Sequence, residues 1–146
     1  MGHDAVEIDF VMPWVDGSDP AWREEFLKYR ALQAPQGEPA CDTGTAAGAV
    51  DASEERYRDW DTLRYWFRGV ERFAPWVNRI HFITWGHLPA WLDPAHPKLH
   101  VVRHADYIPS PYLPTFNSCP IELNMHRIEG LAEHFVYFND DTFLCR

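Results

Sequence analysis

Cysteine is scarce. The chain of 146 residues holds Cys41, Cys119 and Cys145, an odd number of widely separated residues with no CxxC pair. That pattern indicates neither a zinc site nor a disulfide framework. It fits a reducing compartment, so a cytoplasmic protein is expected. Long apolar runs are also missing. No segment reaches the roughly 20 apolar residues that a membrane-crossing helix needs. The start lacks the apolar stretch behind basic residues that marks a signal peptide. Positive charge is short as well: 13 Lys and Arg stand against 22 Asp and Glu, for a net charge of -9. No basic patch of the kind that binds nucleic acid is present. A phosphate-bearing ligand would therefore need a metal ion or a local group of arginines to offset repulsion.

What the chain does have is apolar and aromatic mass. Hydrophobic residues make up 46%, aromatic residues 15%, and there are seven Trp. With 24% charged residues this describes a soluble globular chain, long enough to bury a core without disulfides. We read one α/β domain over 1–146, with a flexible surface insertion at 34–53, where Ala, Gly, Pro and Thr dominate.

The apolar run Ile8–Trp14 predicts a buried strand. Asp16-Gly17 follows as a turn, and Asp19-Pro20 reads as a helix N-cap and first residue. Trp22, Phe26 and Tyr29 then share one helical face. A second helix is expected from residue 54, with Trp60, Leu63, Phe67, Val70 and Ala74 as its core stripe and Pro75 as its end. Residues 79–85 predict a strand, 88–92 a short helical turn, and Leu99–Arg103 another strand. Four prolines between His104 and Pro120 predict an irregular, substrate-facing loop. Residues 121–133 read as a helix with Ile121, Met125, Ile128 and Ala132 inward. The nearly continuous apolar run 134–138 then predicts a central strand covered on both faces. Strands alternating with helices imply a three-layer α/β fold with a mostly parallel sheet.

In such sheets ligands bind beyond the carboxyl ends of the strands. Two polar clusters fall there. Asn139-Asp140-Asp141 follows the last strand. It reads either as a surface turn or as a metal site, because two adjacent carboxylates repel each other and a Mg²⁺ or Mn²⁺ ion removes that cost while leaving room for phosphate oxygens. Asp16-Gly17-Ser18-Asp19 follows the first strand; it reads as a turn and cap, or as a loop holding part of a nucleotide. Arg64, Arg68 and Arg72 line a helix face with Asp61 and Glu71, either as solvated ion pairs or with Arg64 gripping a diphosphate. Glu122 and His126, one turn apart, read as an ordinary pair or as a carboxylate orienting a base. The remaining histidines, His81 and His100 among them, show no ligand spacing and read as structural or exposed. Trp14 and Trp85 stand out from the other tryptophans because each ends a strand.

Several strings, in this order, resemble the Stealth family: Trp14-Val15-Asp16-Gly17-Ser18-Asp19 its first conserved region, and Leu63-Arg64-Tyr65, Glu71-Arg72-Phe73-Ala74-Pro75-Trp76-Val77, Leu113-Pro114-Thr115-Phe116-Asn117-Ser118, His126-Arg127-Ile128-Glu129-Gly130-Leu131 and Tyr137-Phe138-Asn139-Asp140-Asp141 its second. The resemblance implies a Rossmann-like fold of the nucleotide-diphospho-sugar-transferase type, here incomplete. It implies a phosphotransferase of capsular or exopolysaccharide synthesis that moves a sugar 1-phosphate from a nucleotide diphosphate sugar, such as UDP-GlcNAc, to a saccharide hydroxyl. On that reading Asp140 and Asp141 hold the metal, Arg64 and His126 assist the chemistry, and Trp14, Asp16, Gly17, Asp19, Asn117 and Asn139 hold the donor. The family carries two further conserved regions, so this chain is expected to be part of a longer transferase and to need the missing C-terminal part for turnover. Peripheral association with the inner membrane fits the same reading. A metal-dependent glycosyltransferase and a non-catalytic donor-binding fragment remain as alternatives.

Overall fold

Four strands, all parallel, form the sheet of this computed structural model, which describes residues 6–33 and 57–145. They are β1 (Ile8–Trp14), β2 (Ile80–Thr84), β3 (Leu99–Arg103) and β4 (His134–Tyr137), in the order β3-β2-β1-β4. The chain divides into two compact units, residues 1–15 with 60–146, and residues 16–59. The expected insertion at 34–53 lies outside the described residues.

The first unit holds the sheet. Register places Phe10 beside Ile80 and beside Val136, so β1 is paired on both sides. β2 is likewise flanked, by β1 and β3, and all five of its residues are buried. Alternation along β1 sends Phe10, Met12 and Trp14 to one face and Asp9 and Val11 to the other. The first set packs with Leu63, Trp66 and Val70 of α2 (Leu63–Phe73). The second packs with Tyr107 of α3 (His104–Tyr107) and with Met125 and Ile128, which follow α4 (Ser118–Leu123). Helices thus cover both faces, as the sequence pattern implied.

Four expectations need correction. Trp60 lies outside α2 and is 71% exposed, while Trp66 is fully buried and meets Phe138 edge-on at 5.3 Å. The apolar stripe was therefore right in period but began one turn too early. Residues 88–92 form a hydrogen-bonded turn, closed by Leu92 N on Pro89 O, and not a helix. The segment from His104 to Pro120 is less irregular than its prolines suggest, because it holds α3 and a 3₁₀ turn at Ser110–Tyr112. Residues 121–133 are not one helix. The Asn124 side chain donates to Pro120 O at 2.8 Å, a short polar group competing for the helix's own acceptors. A 3₁₀ turn at Met125–Arg127 follows, and Gly130 adopts a positive φ of 75°.

The largest correction concerns β4. It is the edge strand among the described residues, not a central one, and Phe135 and Val136 are each 42% exposed. An apolar run reports composition, whereas sheet order is decided by which strands meet in space.

The second unit contains α1 (Pro20–Gln33). Its start follows the sequence reading: the Asp19 carboxylate accepts from Trp22 N at 2.8 Å, which satisfies one of the helix's free N–H groups. Trp22 and Phe26 stack at 5.0 Å, and Tyr57 packs against both rings.

Candidate functional site

The main chain of β4 stays attached to β1 through Phe138, whose N–H donates to Val11 O at 2.9 Å. It then turns at once. Thr142 closes the turn: its N–H and its hydroxyl both donate to Asn139 O, at 3.0 and 2.7 Å, and the hydroxyl accepts from Asn139 N at 3.0 Å. Asp140 and Asp141 occupy the two central positions, and both are exposed. The chain does turn here, and the turn presents two carboxylates beyond the carboxyl end of a parallel strand. Thr142 was missed by the sequence reading. Its role depends on the turn geometry and not on its residue type alone.

A third acidic group comes near. Tyr137, the last residue of β4, donates its hydroxyl to Glu122 Oε1 at 3.1 Å. Burial raises the Tyr137 hydroxyl above its usual range, and the charges of Glu122 and Asp140 add to that. The phenol stays protonated and holds Glu122 at this end of the sheet. The local field is negative, which favours a cation. Among the described residues no three His, Cys, Asp or Glu side chains converge as a ready metal cluster. The side chains here that could take part in holding a metal are the two carboxylates of the turn. That set suits a Mg²⁺-type ion, which keeps several waters and takes the rest of its shell from phosphates.

Other sequence-singled residues take different places. Glu122 and His126 do not pair, because α4 ends at Leu123 and the one-turn spacing is lost. His126 instead puts Nδ1 on Leu123 O at 3.0 Å, and a carbonyl can only accept. Nδ1 therefore carries the proton and Nε2 is left as an acceptor, on an exposed ring. Asn117 is the N-cap of α4, its Oδ1 accepting from Cys119 N. Trp14 is a core residue, stacked on Phe82 at 5.8 Å. Trp85 is half-buried, 5.9 Å from the His87 ring.

Arg64 stands in the first turn of α2. One of its NH₂ groups donates to Asp61 at 2.8 Å, and its guanidinium lies over Trp91 at 5.7 Å. It faces the connection between β2 and β3. β4 is the opposite edge of the sheet, three strand spacings or about 14 Å from β3.

In the second unit the Asp16 carboxylate accepts from Ser18 N at 2.8 Å and from the Ser18 hydroxyl at 2.6 Å. Gly17 N donates to Tyr57 O, and a Cβ at Gly17 would lie 2.4 Å from that same oxygen. The glycine is required by this close approach.

Sequence reasoning also missed a buried polar row on the sheet. Asp9 of β1 is fully buried. Its carboxylate accepts from Asn78 Nδ2, from His81 Nε2 and from Ala132 N, at 2.8, 2.8 and 2.9 Å. His81 Nδ1 lies 3.0 Å from His100 Nδ1 of β3. Burial opposes the ionised Asp9, but these three donors outweigh it and hold the carboxyl below its usual range. Burial also lowers His81, against the pull of Asp9, so the ring is neutral. Its Nε2–H faces Asp9, and Nδ1 accepts from His100. A single Asp inside an otherwise apolar strand was the available signal, because a buried carboxylate needs partners.

A parallel sheet covered by helices on both faces defines an α/β protein with a partial Rossmann-like fold. The comparison with known sequences goes further. Residues 6–32 match Stealth protein CR1, conserved region 1, and residues 56–146 match Stealth protein CR2, conserved region 2. The chain belongs to the Stealth family. It is 56% identical over 137 residues to a capsular polysaccharide phosphotransferase WcwK of Streptococcus pneumoniae, and 47% identical over 144 residues to the receptor polysaccharide phosphotransferase WefC of Streptococcus oralis. Each match covers 94% of this chain and 38% of the relative. The capsular polysaccharide phosphotransferase CpsJ of Streptococcus thermophilus is 49% identical over 140 residues, covering 53% of its length. The chain thus spans between about two fifths and about half of these relatives. No helix among the described residues is long and apolar enough to cross a membrane.

Proposed function

We propose that this chain is the donor-handling part of a phosphotransferase that builds a capsular or related polysaccharide. The reaction moves a hexose or N-acetylhexosamine 1-phosphate from a nucleotide diphosphate sugar to a saccharide hydroxyl. The hydroxyl oxygen attacks the phosphorus that bears the sugar. The bond from that phosphorus to the nucleoside monophosphate breaks, and the hydroxyl proton passes to a base. The observation that carries this reading is the Asn139–Thr142 turn, with its two outward carboxylates, in a chain whose relatives are named phosphotransferases.

Phosphoryl transfer asks mainly for positioning and charge neutralisation. Asp140 and Asp141 would hold Mg²⁺ or Mn²⁺ against the diphosphate, and the ion would offset charge on the departing phosphate. Tyr137 keeps Glu122 in place beside them, which deepens the negative field that draws the ion in. His126 has a free acceptor nitrogen, Nε2, and is our candidate for the base.

Two measurements test the reading. Calorimetric titration of the chain with Mn²⁺ and UDP-GlcNAc should show metal-dependent binding. Asp141→Asn should abolish it with an unchanged circular dichroism spectrum, and unchanged binding in that variant would refute the metal assignment. Product analysis on the longer protein should find a phosphodiester-linked sugar and released UMP. Release of UDP would instead mean a glycosyltransferase.

A further inference from the structure

The first unit holds a groove whose lining does not include the acidic turn. It is a groove of about 600 Å³ along α2, facing the β2–β3 connection. That is the size of a small-molecule site. Among the described residues of this unit, α2 is the helix that packs on this face, and residues 85–98 form turns without a helix to fill the space over β3. Its floor is apolar: Val77, Ile80, Leu92 and Leu99 with the side of Phe67. The groove runs from Arg64 to Pro75, about 16 Å along the helix.

The polar groups on its walls are few and specific. Arg64 Nε is buried and has no hydrogen-bond partner. A ligand acceptor reaching that N–H would complete its hydrogen bonding. Arg68, one turn on, has the Tyr65 ring as its neighbour at 5.8 Å and no carboxylate. Lys98, at the other end, donates to two backbone carbonyls, Pro75 O and Val77 O, both at 2.8 Å. Against these cations stand Glu71 and Asp93 on the walls, and Asp61 on Arg64. The balance is close to zero. A nucleotide diphosphate or any other polyanion would meet Glu71 and Asp93 without a surplus of positive charge. An apolar body with one anionic head would bury its length on the floor and place one acceptor at Arg64 Nε and Arg68.

We propose that this groove binds a single-headed amphipathic anion, an aliphatic or aromatic body ending in one carboxylate or phosphodiester, at a site separate from the acidic turn. The assignment does not rest on the phosphotransferase reading.

Laurate, used below its micelle-forming concentration, is the probe. The reporter is the indole N–H resonance of Trp91, which lines the groove and is identified with Trp91→Phe. We expect that resonance to shift and saturate at one laurate per chain. Dodecyl maltoside, neutral in its head, should bind at least about tenfold more weakly, and UDP should not move the resonance. Arg68→Gln, at an exposed position, should weaken laurate by about tenfold, the typical loss of one charge-assisted contact. Leu92→Asp should abolish binding while the melting temperature stays close to that of the parent. Absence of saturation, equal binding of dodecyl maltoside, or unchanged laurate affinity in both Arg68→Gln and a folded Leu92→Asp would overturn the proposal.

Discussion

Asp9 and the Asp140–Asp141 pair are the same chemical group in opposite circumstances. Asp9 sits near the amino end of β1, fully buried, with both oxygens engaged by three donors of the protein. Asp140 and Asp141 sit beyond the carboxyl end of β4, exposed, in a turn that Thr142 closes. A carboxylate whose bonds are completed by its own protein is part of the architecture. One presented to solvent beyond a strand end can serve a ligand. Mutations should therefore separate along that line.

The largest effect should come from Asp9→Ala. It leaves Asn78, His81 and Ala132 N without their acceptor in a dry interior, and should cost about 3–5 kcal/mol in urea unfolding. A loss below about 1 kcal/mol would erase the contrast. Next in size is a dependence on pH. Burial holds His81 below its usual 6.5 and His104 at about 4. For groups with depressed pKa the stabilisation is complete above the unfolded value. As pH falls from about 6.5 towards 4, the unfolded chain takes up protons that the folded chain refuses. Stability should then fall by up to about 2.7 kcal/mol per pH unit where both histidines contribute. The stabilisation from Asp9 is lost only at lower pH, below its ordinary 3.8. His104→Gln should roughly halve the slope, and a flat profile between pH 4 and 6.5 would contradict the burial argument.

Gly17→Ala comes third. Its methyl would meet Tyr57 O at 2.4 Å, and the resulting shift should cost about 1–3 kcal/mol by thermal unfolding. Thr142→Val should cost about 1 kcal/mol or less, since it loosens one exposed turn, and should weaken Mn²⁺ more than it weakens the fold. Asp141→Asn closes the series with a stability change within about 0.5 kcal/mol. A large destabilisation there would show that the turn's carboxylate is structural after all.

The same contrast explains what could be read from the chain directly. β1 and β2 were legible because each is a short apolar run ended by a turn, and β3 because it is a short apolar run of its own. The α1 cap was legible because Asp19-Pro20 acts on its own neighbours. The acidic turn was legible as a polar cluster on a strand end. What could not be read depends on partners distant in sequence. Nothing within residues 134–138 says that β4 lies at the edge. The choice of Trp66 over Trp60 for the core depends on where α2 begins, and that is set against Phe10 and Phe138. The partners of Asp9 lie 69, 72 and 123 residues away in the chain. The surroundings of Arg64 were hidden for the same reason, for they come from Trp91 and the β2–β3 connection.

The bond from Ala132 N to Asp9 has a mechanical consequence. It pins the chain two residues before β4 begins, and Phe138 N on Val11 O pins it one residue after β4 ends. β4 is a short bar bolted at both ends. It cannot slide along β1, so any motion that brings Asp140 and Asp141 onto a substrate must pivot after Phe138, as the tip of a fixed lever does.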